Sequence, residues 1–457
     1  MELNINTFKI ILKEIQHIKN LEYEVDLTQY KLHCIVGKNG VGKTTLIKAI
    51  QNFKETNTLD KLSRLNIIGS SSNIIYNVDY TDFSFNAVNH DGRYMLTSTD
   101  NIEESLKENI FVELPIPIGK RFNHYAKLGG NIGEEIKTKF ALGDYSEKPI
   151  ELIALFNSVY GDDRFEDLEQ IDIKGEKYYI KPLSDENYIR EDDFSSGEYM
   201  LVQIYKLIQN RCKLIVVDEL DISLDSDAQI KLLKELRRLT TEYEINILFT
   251  THSLAIMKSM YEDELYYMET KDEKTSIQRK SYNYIKGLLF QFEGYDKIIL
   301  TEDKMLVSYM KYLLKDENKF SKYIMIYVAG HSQTVDLMDR NKENNFLDTT
   351  NVISVLDGDQ RDEDKYKDRA EIVCIPFESI EKDLYQSYLD GELDEVIAER
   401  TMDKSIEEAK PKNRNKALYN SLIDRKYMSN EDIFEFINKK YTNEIVNLKS
   451  KLISFLN

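Results

Sequence analysis

The sequence predicts an α/β protein whose largely parallel sheets are crossed by helices. Three observations predict it. Short apolar runs end in glycine or in acidic residues, as at Ile35–Gly37 and Ile215–Glu219. Helical periodicity returns between those runs. The same alternation recurs in the second half of the chain, which signals strands joined by helical crossovers. At 457 residues the chain is long for one domain, so two or three units are expected.

Taken in order, strand-like runs occupy 8–12, 21–25 and 30–36, and a helix opens inside GKNGVGKTTLIKAIQNF. Residues 53–190 are mixed and carry no nameable motif, so they are expected as an insertion. A helix over 198–208, a strand over 213–217, a helix over 228–239 and a strand over 245–250 follow, then a hairpin across 264–280. From Lys297 strands are expected at 297–301, 323–328, 352–356 and 371–375, with a helix over 304–315. This gives three expected domains: 1–290, 291–390 and a helical region, 391–457. Six prolines, no internal repeat and no low-complexity linker leave the boundary near 285–295 set by the change of pattern.

The 61 Lys and Arg against 80 Asp and Glu give a net charge of −19. That excludes a protein coated in basic surface, but not one with a local basic groove for nucleic acid. It also suits a protein whose carboxylates hold metal ions. Cys34, Cys212 and Cys374 have no metal-ligand spacing and are expected as small buried hydrophobes in a reducing compartment. No leader-like start and no 18-residue apolar window are present, so a cytoplasmic protein with no membrane segment is expected.

Residues 37–44, GKNGVGKT, fit G-x-x-x-x-G-K-[ST] between a strand and a helix. Phosphate binding needs this spacing. Glycines let backbone N–H groups wrap the phosphates, Lys43 reaches the β- and γ-phosphates, and the Thr44 hydroxyl ligates Mg²⁺. Gly37, Asn39, Gly40, Gly42, Lys43, Thr44 and Thr45 are therefore expected to bind ATP. The run 214–219 ends a buried strand in Asp218, a second Mg²⁺ ligand, and Glu219, a general base for the attacking water. Ser195, Ser196 and Gly197 open a helix and form another phosphate-binding end, although Ser195 with Glu198 also satisfies a capping box. His252 follows a strand in FTTHS, where a histidine is more often structural.

The order and spacing of these motifs resemble the ABC-type P-loop ATPase head over about residues 1–260. The resemblance implies a signature at Ser195–Glu198, a D-loop ending at Asp225 and a switch histidine at His252. No glutamine lies between Gln51 and Gln170, so the usual Q-loop residue has no counterpart. The family implies that the signature of one copy completes the nucleotide site of another, so a homodimer or larger even homo-oligomer is expected.

In the second half, Glu302 and Asp303 end one strand, Gly330 follows the next, Asp357 and Asp359 end a third, and Glu378 and Glu381 follow a fourth. Each alone reads as a turn acid or N-cap. Together, at C-terminal strand ends of a parallel sheet, they open onto one crevice and suit Mg²⁺ or Mn²⁺. The pattern resembles a Toprim domain, a Rossmann-like parallel sheet. An ABC-type head followed by Toprim and a helical tail resembles the OLD family of ATP-dependent nucleases, including Gabija-type and retron-associated antiphage effectors. That resemblance implies metal-dependent DNA cleavage through Glu302, Asp357 and Asp359, with Glu381 as a further metal ligand and Glu378 its alternative. It also implies DNA and possible defence-system proteins or nucleic acids as partners. The family's usual Gly after the glutamate and Asp four positions on are Asp303 and Leu306 here. A tail cluster, Lys410, Lys412, Arg414 and Lys416, is the candidate for an assisting cation.

Overall fold

The computed structural model describes residues 5–56, 58–61, 67–113, 125, 128–184, 186–210, 212–221, 223–291, 294–328, 330–344, 347–366, 368–394, 406 and 408–457. The chain divides into two compact units, Met1–Ile285 and Lys286–Asn457.

The first unit is built on an eleven-stranded mixed sheet. Its strands are β1 (Thr7–Ile15), β2 (Ile18–Asp26), β3 (Leu32–Val36), β4 (Ile68–Val78), β5 (Thr81–His90), β6 (Arg93–Thr97) and β7 (Ile110–Glu113). A separate antiparallel sheet of β8 (Glu169–Ile173), β9 (Glu176–Pro182) and β10 (Tyr188–Arg190) intervenes in the chain. The large sheet is then completed by β11 (Leu214–Val217), β12 (Asn246–Thr250), β13 (Leu265–Lys271) and β14 (Lys274–Arg279). Its order is β6-β5-β4-β1-β2-β14-β13-β3-β12-β11-β7.

Strands β7, β11, β12, β3 and β13 run parallel, and β3, β11 and β12 are buried along their whole length. That is why they read as uninterrupted apolar runs. The antiparallel wing alternates instead. In β1, Phe8, Ile10 and Leu12 are buried while their neighbours are partly exposed, and they pack under Phe53 and Tyr76. Much of the expected insertion belongs to this sheet, because β4 pairs with β1 and β7 with β11. Sequence pattern did not reveal it because β4 to β6 carry polar residues on their open face.

Helix α1 (Lys43–Lys54) follows β3; α2 (Asn131–Leu142) and α3 (Ile150–Tyr160) precede the small sheet. Helix α4 (Ser196–Gln209) leads to β11, and α5 (Ser226–Tyr243) connects β11 to β12. The cysteines are free. Cys34 and Cys212 are buried as expected, whereas Cys374 is only half-buried, at the end of an edge strand.

The second unit is a four-stranded parallel sheet of β15 (Lys297–Thr301), β16 (Tyr323–Tyr327), β17 (Val352–Leu356) and β18 (Ile372–Cys374), in the order β16-β15-β17-β18. Helices cover both faces. Leu300, Val352 and Leu356 meet Val335 and Met338 of α6 (His331–Asn344). Ile299, Ile353 and Val355 belong to a larger core shared with α7 (Lys304–Leu313), α8 (Ile380–Leu389), α9 (Arg414–Asp424), α10 (Asn430–Lys440) and α11 (Thr442–Leu456). Adjacent residues Ile299 and Leu300 thus face opposite cores, as the strand period of two requires. Part of the expected tail, 395–405, lies outside the described residues, as does the side chain of Lys412.

Candidate functional site

In the first unit, β3 runs into the loop 37–42 and α1 starts at Lys43. Gly42 sits at the helix start with φ +112°, and a Cβ there would lie 2.7 Å from Ile18 Cδ1. Only glycine fits that backbone and that space. No side chain caps this helix end, so its first N–H groups and the positive end of its dipole face the loop. Lys43 is buried and donates to the Gly37 carbonyl at 2.8 Å and the Lys38 carbonyl at 3.4 Å. Burial lowers its pKa, while Asp218 and Glu219 oppose that shift and keep the ammonium close to their charge. Gly40 has φ +77°, and Gly37 lies against the Met268 carbonyl.

The Thr44 hydroxyl donates to Asp218 Oδ2 at 2.8 Å, and the Thr250 hydroxyl donates to Asp218 Oδ1 at 2.5 Å. Two hard oxygen groups, one from α1 and one from the end of β11, thus meet beside the uncapped helix start. This donor set fits Mg²⁺ bridging to a phosphate. Glu219 follows with φ +55°, a conformation that costs energy for a residue with a Cβ, and its N–H donates to Thr250 Oγ1 at 2.8 Å. His252 is exposed, and its N–H donates to Asp221 Oδ1 at 3.2 Å. Asp225 caps α5, accepting from the N–H groups of Asp227 and Ala228 at 3.0 Å each.

Ser195 caps α4 in a complete capping box with Glu198; Ser195 and Ser196 are exposed, and Gly197 is buried against the Ser223–Leu224 turn. Two fully buried acids precede this segment. Glu191 bonds Lys206 Nζ of α4 at 2.6 Å and the Tyr179 N–H of β9 at 2.8 Å, and Asp192 pairs with Arg190 at 2.5 Å. Glu191 thereby ties α4 to the small sheet.

Sequence reasoning missed Thr250, Gln16 and His17. The Thr45 hydroxyl donates to Gln16 Oε1, and the His17 ring reaches the same side of Gly42 as Ile18. Both belong to the β1–β2 turn, which no motif marks. The repeated threonine in FTTHS was the available signal for Thr250.

In the second unit, Glu302 follows β15 and Asp357 follows β17, strands that pair directly. Glu302 Oε1 accepts the Asp357 N–H. Between the two aspartates, a Cβ on Gly358 would lie 2.0 Å from the Phe377 carbonyl, so the turn admits only glycine. Burial pushes the Asp357 carboxyl up to about 8, reinforced by the charges of Glu302, Asp303, Glu381 and Asp359. Burial also raises Glu302 and Glu381, the latter relieved by its own backbone N–H and by nearby Lys416 of the tail cluster. Asp359 goes the other way: burial would raise it, but Lys382 Nζ at 2.7 Å and the Gln360 amide at 2.8 Å outweigh burial and hold it low. Asp303 caps α7 through the Leu306 N–H at 2.8 Å, and Ser379 caps α8. Glu378 lies 3.5 Å from Lys382.

Five carboxylates thus share one electrostatic neighbourhood. Among the described residues, however, no three His, Cys, Asp or Glu side chains stand together as a ready metal-ligand group. Asp359 is turned to Lys382 instead. The chemistry of the donors fits a hard divalent cation, since crowded carboxylates require a cation or raised pKa values.

No described helix is long and apolar enough to cross a membrane. Residues 32–258 match the family model described as "AAA domain, putative AbiEii toxin, Type IV TA system". The chain is similar to the methionine import ATP-binding protein MetN of Streptococcus agalactiae, 22% identical over 369 residues, covering 77% of this chain and 85% of that protein. It is also similar to the phosphonates import ATP-binding protein PhnC of Lactobacillus acidophilus, 28% identical over 74 residues, covering 16% of this chain and 29% of that protein. Among solved structures, a Pyrococcus furiosus Smc head domain bound to the C-terminal domain of ScpA matches with 13% identity and a TM-score of 0.38, over 63% of this chain and 99% of that one. The motif, its geometry, the matched domain model and the ATP-binding relatives agree: the chain carries an ATP-binding P-loop ATPase domain of ABC-like α/β build.

Proposed function

We propose that this protein is an ATP-regulated, metal-dependent DNA endonuclease of the OLD type, with a Toprim-like second unit, acting in antiphage defence. The observation that carries the reading is the placement of Glu302 after β15 and of Asp357 and Asp359 after its parallel neighbour β17, with Glu302 accepting the Asp357 N–H, at the strand ends where open α/β sheets bind ligands. The description of the matched domain model, which names a toxin–antitoxin system, is in keeping with a defence setting.

Glu302, Asp357 and Glu381 would hold Mg²⁺ or Mn²⁺, with Asp359 joining when Lys382 turns away. A bound divalent ion supplies an activated water and screens the scissile phosphate. In the first unit, Lys43 and the loop hold the phosphates of ATP, Thr44 and Asp218 hold its Mg²⁺, and Glu219 orients and deprotonates the attacking water. Ser195, Ser196 and Gly197 of one copy complete the site of a second, so two heads close on ATP and His252 senses its γ-phosphate. This requires at least a homodimer.

A plasmid-nicking assay with Mg²⁺ or Mn²⁺, with and without ATP, tests the reading. Cutting that Asp357→Ala abolishes while ATP binding persists is the expected result. A second reading has the C-terminal unit as a binding module of an SMC- or RecF-like repair or sensor ATPase. The Lys382–Asp359 pair favours it, because it occupies one of the proposed ligands. It predicts no cleavage in any metal or nucleotide state.

A further inference from the structure

In the second unit a cavity of about 510 Å³ opens beside α8, the start of α9 and Tyr441. Its lining combines the rings of Tyr385 and Tyr441, the amides of Gln386 and Asn415, and the charges of Lys382 and Asp383. Lys382 serves two places. It lines the cavity, and its Nζ bonds Asp359 Oδ2 at 2.7 Å. The cavity therefore begins where the carboxylate neighbourhood ends.

The lining selects among ligand classes. Glu378 also faces the cavity, so two carboxylates oppose one ammonium, and a phosphate inside would meet net negative charge. The Gln386 amide already donates to Asp390 Oδ1 at 2.9 Å, but an apolar ligand would still strip water from the Asn415 amide. A neutral heterocycle with hydrogen-bonding edges and flat faces meets both demands: rings for its faces, and the Asn415 amide with the Gln386 carbonyl for its edges. The rings are held in place. Tyr441 donates to Asp383 Oδ1 at 2.5 Å, and Tyr385 stacks on Tyr388 with centroids 6.4 Å apart. The volume lies in the range of small-molecule pockets and holds one nucleoside; a base still paired within a duplex stack cannot enter.

We propose that this cavity receives an unstacked nucleobase of single-stranded or frayed DNA, next to the phosphate that a carboxylate-held divalent ion would engage. The assignment rests on the nuclease reading for that phosphate and adds the substrate class. Lys382 sits where the two meet and exchanges Asp359 for the phosphate as the strand enters.

The test uses the full-length protein in Ca²⁺, so that binding is read without cleavage. A short fluorescein-labelled oligodeoxythymidine is compared with a duplex of equal length. The single strand should bind several-fold more tightly. Tyr385→Ala should lose on the order of tenfold of that affinity, the cost of one base–aromatic stack, and Tyr385→Phe should restore it. Asn415→Ala, at the cavity rim, should lose affinity for the single strand and leave the duplex unaffected. Equal binding of strand and duplex by wild type, or undiminished single-strand binding by both alanine variants with unchanged melting temperatures, overturns the assignment. Tight single-strand binding by a protein that never cuts with Mg²⁺ or Mn²⁺ removes the nuclease reading and leaves the pocket standing.

Discussion

Thr250→Val is the sharpest single perturbation of the ATPase site. Thr250 is 1% exposed, and its hydroxyl makes two bonds at once, donating to Asp218 Oδ1 at 2.5 Å and accepting from the Glu219 N–H at 2.8 Å. Valine keeps the shape and removes both. A bond to a charged acceptor contributes about 1.5–3 kcal/mol and a neutral one about 1 kcal/mol, so the loss should be about 3 kcal/mol. For a unit of 285 residues that lowers the melting temperature by roughly 5 °C. The kinetic effect follows from Glu219, whose left-handed backbone at φ +55° is fixed partly by that N–H bond. Released, its carboxylate shifts, and misplacement by about 1 Å costs on the order of a hundredfold in rate. ATP affinity should change little, because Lys43 and the loop are untouched. Fluorescent-nucleotide binding, phosphate release and thermal melting measure the three quantities. Thr250→Ser keeps the hydroxyl and should recover most of the rate. Hydrolysis by the valine variant at the wild-type rate, or a serine variant as impaired as valine, refutes the bridging role.

Glu219→Gln should retain ATP and lose hydrolysis by about 10²–10⁴-fold, read by phosphate release; a wild-type rate would exclude Glu219 as the base. Gly358→Ala must push the Phe377 carbonyl aside, so the second unit should lose about 1–3 kcal/mol or more, checked by melting, and on the nuclease reading any Mn²⁺ binding there should weaken, checked by metal titration. His33, buried in β3, stacks on Tyr266 with centroids 5.8 Å apart, and neither ring nitrogen has a hydrogen-bond partner. The nearby Asn246 amide is committed to Leu27 and Lys31, and burial, helped by Lys31, lowers the His33 pKa to about 4. The folded state therefore needs the neutral ring. The unfolded chain takes up the proton as pH falls below 6.5, so stability present above that value is lost toward pH 4, by about 2 kcal/mol at pH 5. His33→Gln should show a correspondingly smaller drop in the melting transition that ATP raises, between pH 7.5 and pH 5; an identical drop would remove His33 as the cause.

The legibility of the two sites differed for a physical reason. The phosphate loop was readable because adjacent residues do the work: Gly42 must take φ +112°, and Lys43 and Thr44 follow at once. The parallel core was readable because strands covered on both faces, such as Leu214–Val217, tolerate only apolar residues. The polar-faced strands Ile68–Val78 and Thr81–His90 were not, since half of each sequence obeys solvent rather than the core. Ser195 was ambiguous in the sequence, and the structure shows the capping box complete, so the local geometry serves helix initiation whatever else it serves.

The sequence by itself determined the glycine-lysine-threonine loop between a strand and a helix in the first unit and which strands end in carboxylates in the second, because both are written in contiguous residues. Only the tertiary structure decided the partnerships. Register between β11 and β12 places Val217 opposite Phe249, and so brings Thr250 to Asp218 and Glu219. The packing of Ile380–Leu389 turns Lys382 onto Asp359, which local pattern left grouped with Asp357. A side chain's period tells which face it occupies; which distant side chain it meets there depends on how separate elements pack.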